Sequence, residues 1–333
     1  MTIDAQSDQE QVNIQKTGAR RWRDIAFFAI LFTFVIIGLF GLAAATGWEE
    51  TKEQLAKLSA SQLLILLVLS LVNYLFRAGR WQIFARRLGL STSLLQSVRH
   101  FFGGFAMSVT PGRIGELIRM RWLQRETGWP VERTAPLALM DRASDLAAMA
   151  LLLAGGIALS TGGIALAMPV AVLALFAAFV ATRPTLLSAC VTFLYRVSGR
   201  FPRLMVRIRR ATRSLHVFTN APVMATALGL GLLGWFAEGY AFHLLLVWMG
   251  ADIGIAKAIA NFVFSTLAGG LTGAPGGVGG AEAAMIALLS LDGISLDVSI
   301  PATAVIRLTT LWFAIAIGLI VFPIAEAKSN TAS

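Results

Sequence analysis

The chain has 333 residues, 56% of them apolar and 14% charged, against roughly 45–50% and about 25% in soluble domains. A composition this apolar excludes a water-soluble globule and a disordered chain, and the single cysteine, Cys190, excludes a disulfide scaffold. The formal net charge of +10, carried mostly by 23 arginines, fits a membrane protein set against an anionic surface; nucleic-acid binding would leave the apolar excess unexplained.

A bilayer core of about 30 Å needs roughly 20 helical residues. The first such run, residues 25–45, follows Arg20, Arg21 and Arg23 and outlasts a signal-peptide core. It reads as an uncleaved anchor behind a cytoplasmic tail, residues 1–24. A polar segment, 48–59, leads to a second span over 62–84. Residues 146–181 carry no charge and exceed one span, so the Ser160-Thr161-Gly162-Gly163 turn divides them into spans at 135–159 and 164–181. Two more spans are predicted at 222–249 and 301–325, with a tail from 326 to 333.

Residues 94–120 and 256–290 are apolar too, but Pro and Gly cut each near its middle. A re-entrant helical hairpin fits such a segment, since broken backbone survives at membrane depth when protein or a wet cavity surrounds it. The expected fold is an all-α polytopic membrane protein with about six transmembrane helices and two re-entrant hairpins. Eight arginines and no acid between 183 and 213 place the 182–221 loop in the cytoplasm, and counting spans outward puts both termini there as well. Within this loop Leu204, Ile208, Ala211, Leu215 and Phe218 share one helical stripe opposite Arg203, Arg207 and Arg210, the pattern of an amphipathic helix on the anionic leaflet.

The broken segments share a pattern. Pro111, Gly112, Arg113 and Gly115 precede Glu116, and Arg142 follows 26 residues later; Pro275, Gly276, Gly277 and Gly279 precede Glu282, and Arg307 follows 25 residues later. The unit of span, broken hairpin and span thus occurs twice, over 62–160 and 222–325, inside one domain of residues 25–325. The first hairpin is expected to enter from the cytoplasm and the second from outside. Matching breaks in the two halves of an inverted repeat mark a transporter's binding site.

Several charges fall where lipid should be. Asp145 has about fifteen residues, roughly 22 Å of helix, left before the outer turn, and Glu238 lies roughly 16 Å from the outer end of its span. Each costs at least about 2.5–3.5 kcal/mol at a helix centre unless paired or wetted. The expected pairs are Arg142 or Arg113 with Glu116 or Asp145, and Arg307 with Glu282 or Glu238. Arg113, Glu116, Arg142 and Arg307 are candidate headgroup-binding residues. Asp141, Asp145, Glu238 and Glu282 would balance charge or carry a coupling proton. Arg77, Arg80, Arg86 and Arg87 read as interface anchors that snorkel. Residues 269–280 are glycine-rich but lack a P-loop's Lys-Ser/Thr, and His100, His216 and His243 have no metal-ligand spacing, so no cofactor or metal is expected.

Four motifs in order, Arg77-Ala-Gly-Arg80-Trp81, Thr110-Pro-Gly-Arg-Ile-Gly-Glu-Leu-Ile-Arg119, Met140-Asp-Arg-Ala-Ser-Asp145 and Ala274-Pro-Gly-Gly-Val-Gly-Gly-Ala-Glu282, resemble the lysylphosphatidylglycerol synthase transmembrane family, also called flippase-like or UPF0104. The family's usual Glu-Arg pair is Asp141-Arg142 in this chain. The resemblance implies a bacterial inner-membrane protein that moves a lipid between leaflets: an anionic or aminoacylated phospholipid, a hopanoid or a polyprenyl-linked lipid. It covers the membrane part and not the synthases' soluble aminoacyl-transferase domain, so no enzyme activity is expected. Expected partners are the lipid substrate, anionic lipids at the cytoplasmic surface, and a second copy of the chain or a lipid-synthesising enzyme, with no nucleic acid. Two other readings remain: an intramembrane transferase using Glu116, Asp141 or Asp145 as base, and a non-transporting partner of a lipid synthase.

Overall fold

A computed structural model describes residues 58–108, 110, 115–160, 167–198, 214–218 and 220–331, with isolated positions 33, 53 and 56. The expected anchor at 25–45, the hairpin residues Pro111, Gly112 and Arg113, and Arg203, Arg207 and Arg210 lie outside the described residues. Helices, with short 3-10 and π turns, make up the secondary structure of the described residues, and no strand occurs among them.

Helix α1, Ala60–Arg87, begins at Ser59, whose hydroxyl accepts from Gln62 N while the Gln62 side chain accepts from Ser59 N, so two of its unpaired N-terminal donors are satisfied. Ser93 and Gln96 cap α2, Leu94–Gly104, in the same way, and a 3-10 turn, Phe105–Met107, ends its run. Then come α3, Gly115–Thr127, and the long α4, Val131–Leu159. Helices α5, Ala167–Thr182, and α6, Pro184–Ser198, lead to a 3-10 turn, Ser214–Phe218. The second half holds α7, Ala221–Trp248; α8, Ile255–Leu271; a 3-10 turn, Pro275–Gly277; and α9, Gly280–Leu291. Helix α10, Leu296–Arg307, passes through a π turn, Leu308–Trp312, into α11, Phe313–Thr331.

Four of these stretches are long and apolar enough to cross a bilayer: α1, α4, α7 and the joined α10–α11. They overlap four of the spans expected from sequence; the run at 164–181 forms the shorter α5. Helix α6 was not expected. The broken segments form two pairs of short helices, α2 with α3 and α8 with α9, each pair packed arm against arm. Glycine permits both close approaches. A Cβ on Gly115 would run into the Gly104 carbonyl, and one on Gly269 would stand 2.6 Å from the Ala281 Cβ. At the α8–α9 turn Gly273, Gly276, Gly277 and Gly279 all have φ between 62° and 85°, a left-handed conformation that a side chain disfavours.

The apolar core falls into three clusters. One centres on α4, α7 and α8, a second on α1 and α2, and a third joins Met107 and Trp122 to Trp312 and Phe322. Leu215 and Phe218, expected on the lipid-facing stripe of an amphipathic helix, are instead fully buried in the second cluster, with the Phe218 ring 5.5 Å from that of Phe84. Leu204, Ile208 and Ala211, the rest of the expected stripe, lie outside the described residues; at its described end a protein surface covers the apolar side chains.

Candidate functional site

A cavity of about 450 Å³ opens where the three clusters meet. Most of its wall is apolar, including Val170, Leu173, Ala174 and Ala177 from α5. The bulky outer side chains of that helix, Val172, Phe176 and Phe179, are exposed. Set into the apolar lining are Arg77, Arg119, Arg142 and Arg307 with Glu116, Asp145 and Glu238.

Helical periodicity explains how the charges converge. Asp141 and Asp145 are four residues apart on α4, hence on one face, and Arg77 and Arg80 are three apart on α1. Arg80 Nη2 donates to Asp141 Oδ1 at 2.5 Å and to Asp145 Oδ1 at 2.7 Å, and Arg77 Nη2 donates to Asp145 Oδ2 at 2.8 Å. Trp235 Nε1 adds a bond to Asp145 Oδ1 at 3.1 Å, which brings α7 into the network. Arg80 is 0% exposed and Arg77 is buried too, so neither snorkels as expected. Carboxylates on a neighbouring helix offered a better partner than the interface. Arg86 and Arg87, at the end of α1, are exposed.

Arg142 follows Asp141 by one residue, about 100° around the helix, and faces the first hairpin. Its Nε donates to Glu116 Oε1, and its Nη1 lies 3.9 Å from Asp145 Oδ2. The second hairpin has the counterpart. Arg307 Nε donates to Glu282 Oε1 at 2.6 Å, its Nη2 donates to the Gly276 carbonyl at 2.9 Å, and Glu282 Oε2 accepts from Gly279 N at 2.7 Å. Glu238 lines the cavity and makes no ion pair within 4 Å among the described residues. Tyr74, also on the cavity wall, donates to the Thr310 carbonyl at 2.5 Å.

The far ends of the hairpins are clasped alike. Ten residues after Glu116, Glu126 accepts from Arg99 Nη2 at 2.7 Å and from Gln96 Nε2, with His100 Nε2 at 3.1 Å. Ten residues after Glu282, Asp292 meets Lys257 Nζ at 2.6 Å and accepts from Asn261 Nδ2 at 2.7 Å. Burial pushes the Glu126 carboxyl up, but the donors set around it by His100, Gln96 and Arg99 outweigh that and hold the group at about 2.

The structure thus gathers Glu116, Arg142, Asp145, Glu238 and Arg307 on one cavity, with Asp141 and Glu282 directly behind it. Sequence reasoning missed Arg77, Arg80 and Arg119 as members. Two signals were present: the complementary spacing of the Arg77/Arg80 and Asp141/Asp145 pairs, and the Gly103-Gly104 and Gly269-Gly270 pairs, one in the first arm of each hairpin.

A chain whose described residues form helices and no strand, with several membrane-length apolar helices and ion pairs buried around a cavity, is a multi-pass membrane protein. Comparison with known proteins refines the class: residues 26–318 match the lysylphosphatidylglycerol synthase TM region, and the chain belongs to that family. A UPF0104 membrane protein of Methanothermobacter thermautotrophicus strain Delta H is 25% identical over 327 residues, spanning 89% of this chain and 94% of that protein. A further UPF0104 membrane protein of the same organism is 29% identical over 109 residues, 33% of this chain and 32% of that one.

Proposed function

We propose that this protein moves an amphiphilic lipid between the leaflets of the cytoplasmic membrane and leaves it chemically unchanged. The cavity carries the reading: an apolar wall, ionisable groups on several faces, and a volume in the range of small-molecule sites. The headgroup would occupy the cavity while the tails stay in the bilayer beyond α5. Candidate lipids are anionic or aminoacylated phospholipids, hopanoids and polyprenyl-linked lipids.

The two hairpins support an inverted repeat. Each has a glutamate near the start of its second arm, an arginine reaching back from the next long helix and a clasp ten residues on. Under the positive-inside assignment the first hairpin enters from the cytoplasm and the second from outside, which suits alternating access around a fixed site. Arg142 would meet the headgroup as its carboxylate partners exchange, Arg307 would stay clasped to Glu282 on the cavity wall, and Glu238 is the candidate carrier of a coupling proton. The driving energy would be an ion gradient or the lipid's own gradient.

Reconstitution into liposomes tests the proposal. Purified protein is expected to speed leaflet exchange of a labelled lipid of one of these classes at least about tenfold over protein-free vesicles, equivalent to about 1.4 kcal/mol off the barrier. No acceleration for any of them would sink the reading.

A further inference from the structure

Behind the cavity wall lies a buried amide with neither of its polar atoms engaged. Asn73 is 0% exposed, and both Nδ2 and Oδ1 lack a hydrogen-bond partner among the described residues. Arg77, four residues on, falls on the same face of α1 and lines the cavity. Opposite Asn73 on α7, Gly234 makes the room, because a Cβ there would stand 2.7 Å from Asn73 Oδ1. Glu238 is one turn further along that face of α7, and its carboxyl neighbours the Asn73 amide.

The other groups that face this carboxyl are Tyr74 and Arg77 from α1, Asp145 from α4 and Arg307 from α10. Each is already engaged: Arg77 donates to Asp145, Arg307 donates to Glu282, and Tyr74 donates to the Thr310 carbonyl. Helix α8 brings Phe262, Thr266 and Leu267 to the wall and no titratable group among the described residues. An amide suits a neighbour that changes charge. The ionised carboxylate can accept from Nδ2, and the protonated carboxyl can donate to Oδ1. An arginine, which only donates, would serve the ionised state alone.

We propose that Asn73 is the positioning residue for a proton carried on Glu238, serving the carboxyl in both charge states; this rests on the proton-carrier role given to Glu238 above. The proton comes from water in the cavity, bonds to one Glu238 Oε and returns to water when that bond breaks. The amide neither gains nor loses a proton and only turns from donor to acceptor. A metal cation suits the place less well, since it keeps its full charge beside Arg77 and Arg307, whereas a proton cancels the carboxylate.

The test is an infrared pH titration of the full chain in liposomes. The carbonyl band of a protonated carboxylic acid, missing in Glu238→Gln, identifies the group, and its loss with rising pH gives a midpoint. Asn73→Val is expected to hold the band to at least about one pH unit higher, tenfold in proton affinity, because the charge-assisted bond is the stronger of the two removed. The band should also move to higher frequency, its hydroxyl having lost the Oδ1 acceptor. Asn73→Thr has the same shape but keeps a donor and an acceptor, and should restore more than half of both shifts. Packing alone would not separate Val from Thr. Parental midpoint and frequency in an Asn73→Val protein that melts like the parent overturn the proposal. If that variant fails to fold, Asn73→Ala decides by the same two readings. A Glu238 band absent at every pH, or one that sodium removes at constant pH, also overturns it. Leaflet exchange in the same liposomes separates the two ideas. Asn73-dependent band shifts without exchange keep the pair and remove transport; exchange whose pH profile Asn73→Val leaves unchanged keeps transport and removes the pair.

Discussion

The two hairpins follow one plan and differ in how tightly the plan is sealed. In the second, the Glu282 and Arg307 side chains are 1% and 8% exposed, and the Gly276 carbonyl and Gly279 N–H occupy their spare hydrogen-bonding positions. In the first, Glu116 and Arg142 are 21% and 31% exposed, both line the cavity, and Arg142 is also near Asp145. A sealed pair works as a fastener, since each partner is the other's substitute for water. A pair on a cavity wall can exchange partners, because water or an incoming headgroup replaces whatever is given up. The same two residue types therefore serve fold in one half and exchange in the other.

Breaking the sealed pair should have the largest effect. Glu282→Gln leaves Arg307 buried with a neutral partner and is expected to cost about 3–5 kcal/mol, visible as a sharp drop in detergent melting temperature or loss of folded protein. If the variant melted like the parent, the sealed pair would not be a fastener. Next come the arm crossings. Gly269→Ala in the second hairpin and Gly115→Ala in the first each force a methyl into a neighbouring arm, an overpacking of about 1–3 kcal/mol that thermal melting would register in both. Glu116→Gln should lower stability by less than about 1 kcal/mol, the scale of a partly exposed pair, yet slow leaflet exchange about tenfold. A stability loss as large as that of Glu282→Gln would erase the contrast between the hairpins.

The last expected effect is a pH dependence at the clasp of the first hairpin. The Glu126 carboxyl is held at about 2, below its ordinary value near 4.3, so its contribution is complete above pH of about 4.3 and fades as pH falls towards 2. Between pH 4.5 and 2.5 the melting temperature of the parent should therefore fall more steeply than that of Glu126→Gln. Parallel curves would show that the clasp contributes nothing in the folded state.

Much of the helical frame was legible in the chain because hydropathy and Gly/Pro punctuation act locally. The runs that became α1, α4, α7 and α10–α11, and the two interrupted segments, all announced themselves in this way. The glutamate–arginine pairs were legible because their spacings of 26 and 25 residues repeat. What stayed hidden was lateral: which face of a helix meets which neighbour. Arg77 and Arg80 lie ten and seven residues before the end of α1, where a snorkelling arginine and a buried one look alike in sequence. Only the arrival of α4 beside them, with Asp141 and Asp145 on the facing side, separates the two cases. Arg119 was hidden for the same reason, since its position on a short arm says nothing of the aromatic ring beneath it. Leu215 and Phe218 made the converse point, an apolar stripe that found protein instead of lipid.

The π turn at Leu308–Trp312 sets the phase between the two ends of the longest helix. Upstream of it Arg307 must face the cavity; downstream, Gly318 must face the turn after α2, where a Cβ would strike the Ala106 backbone. A π turn accommodates one extra residue, and each residue advances a helix by about 100°. The turn thus acts as an angular offset between a charge on one side and a notch on the other. Removing a single residue from 308–312 would leave Arg307 and Gly318 themselves unchanged and swing the notch away from the backbone it was cut to receive.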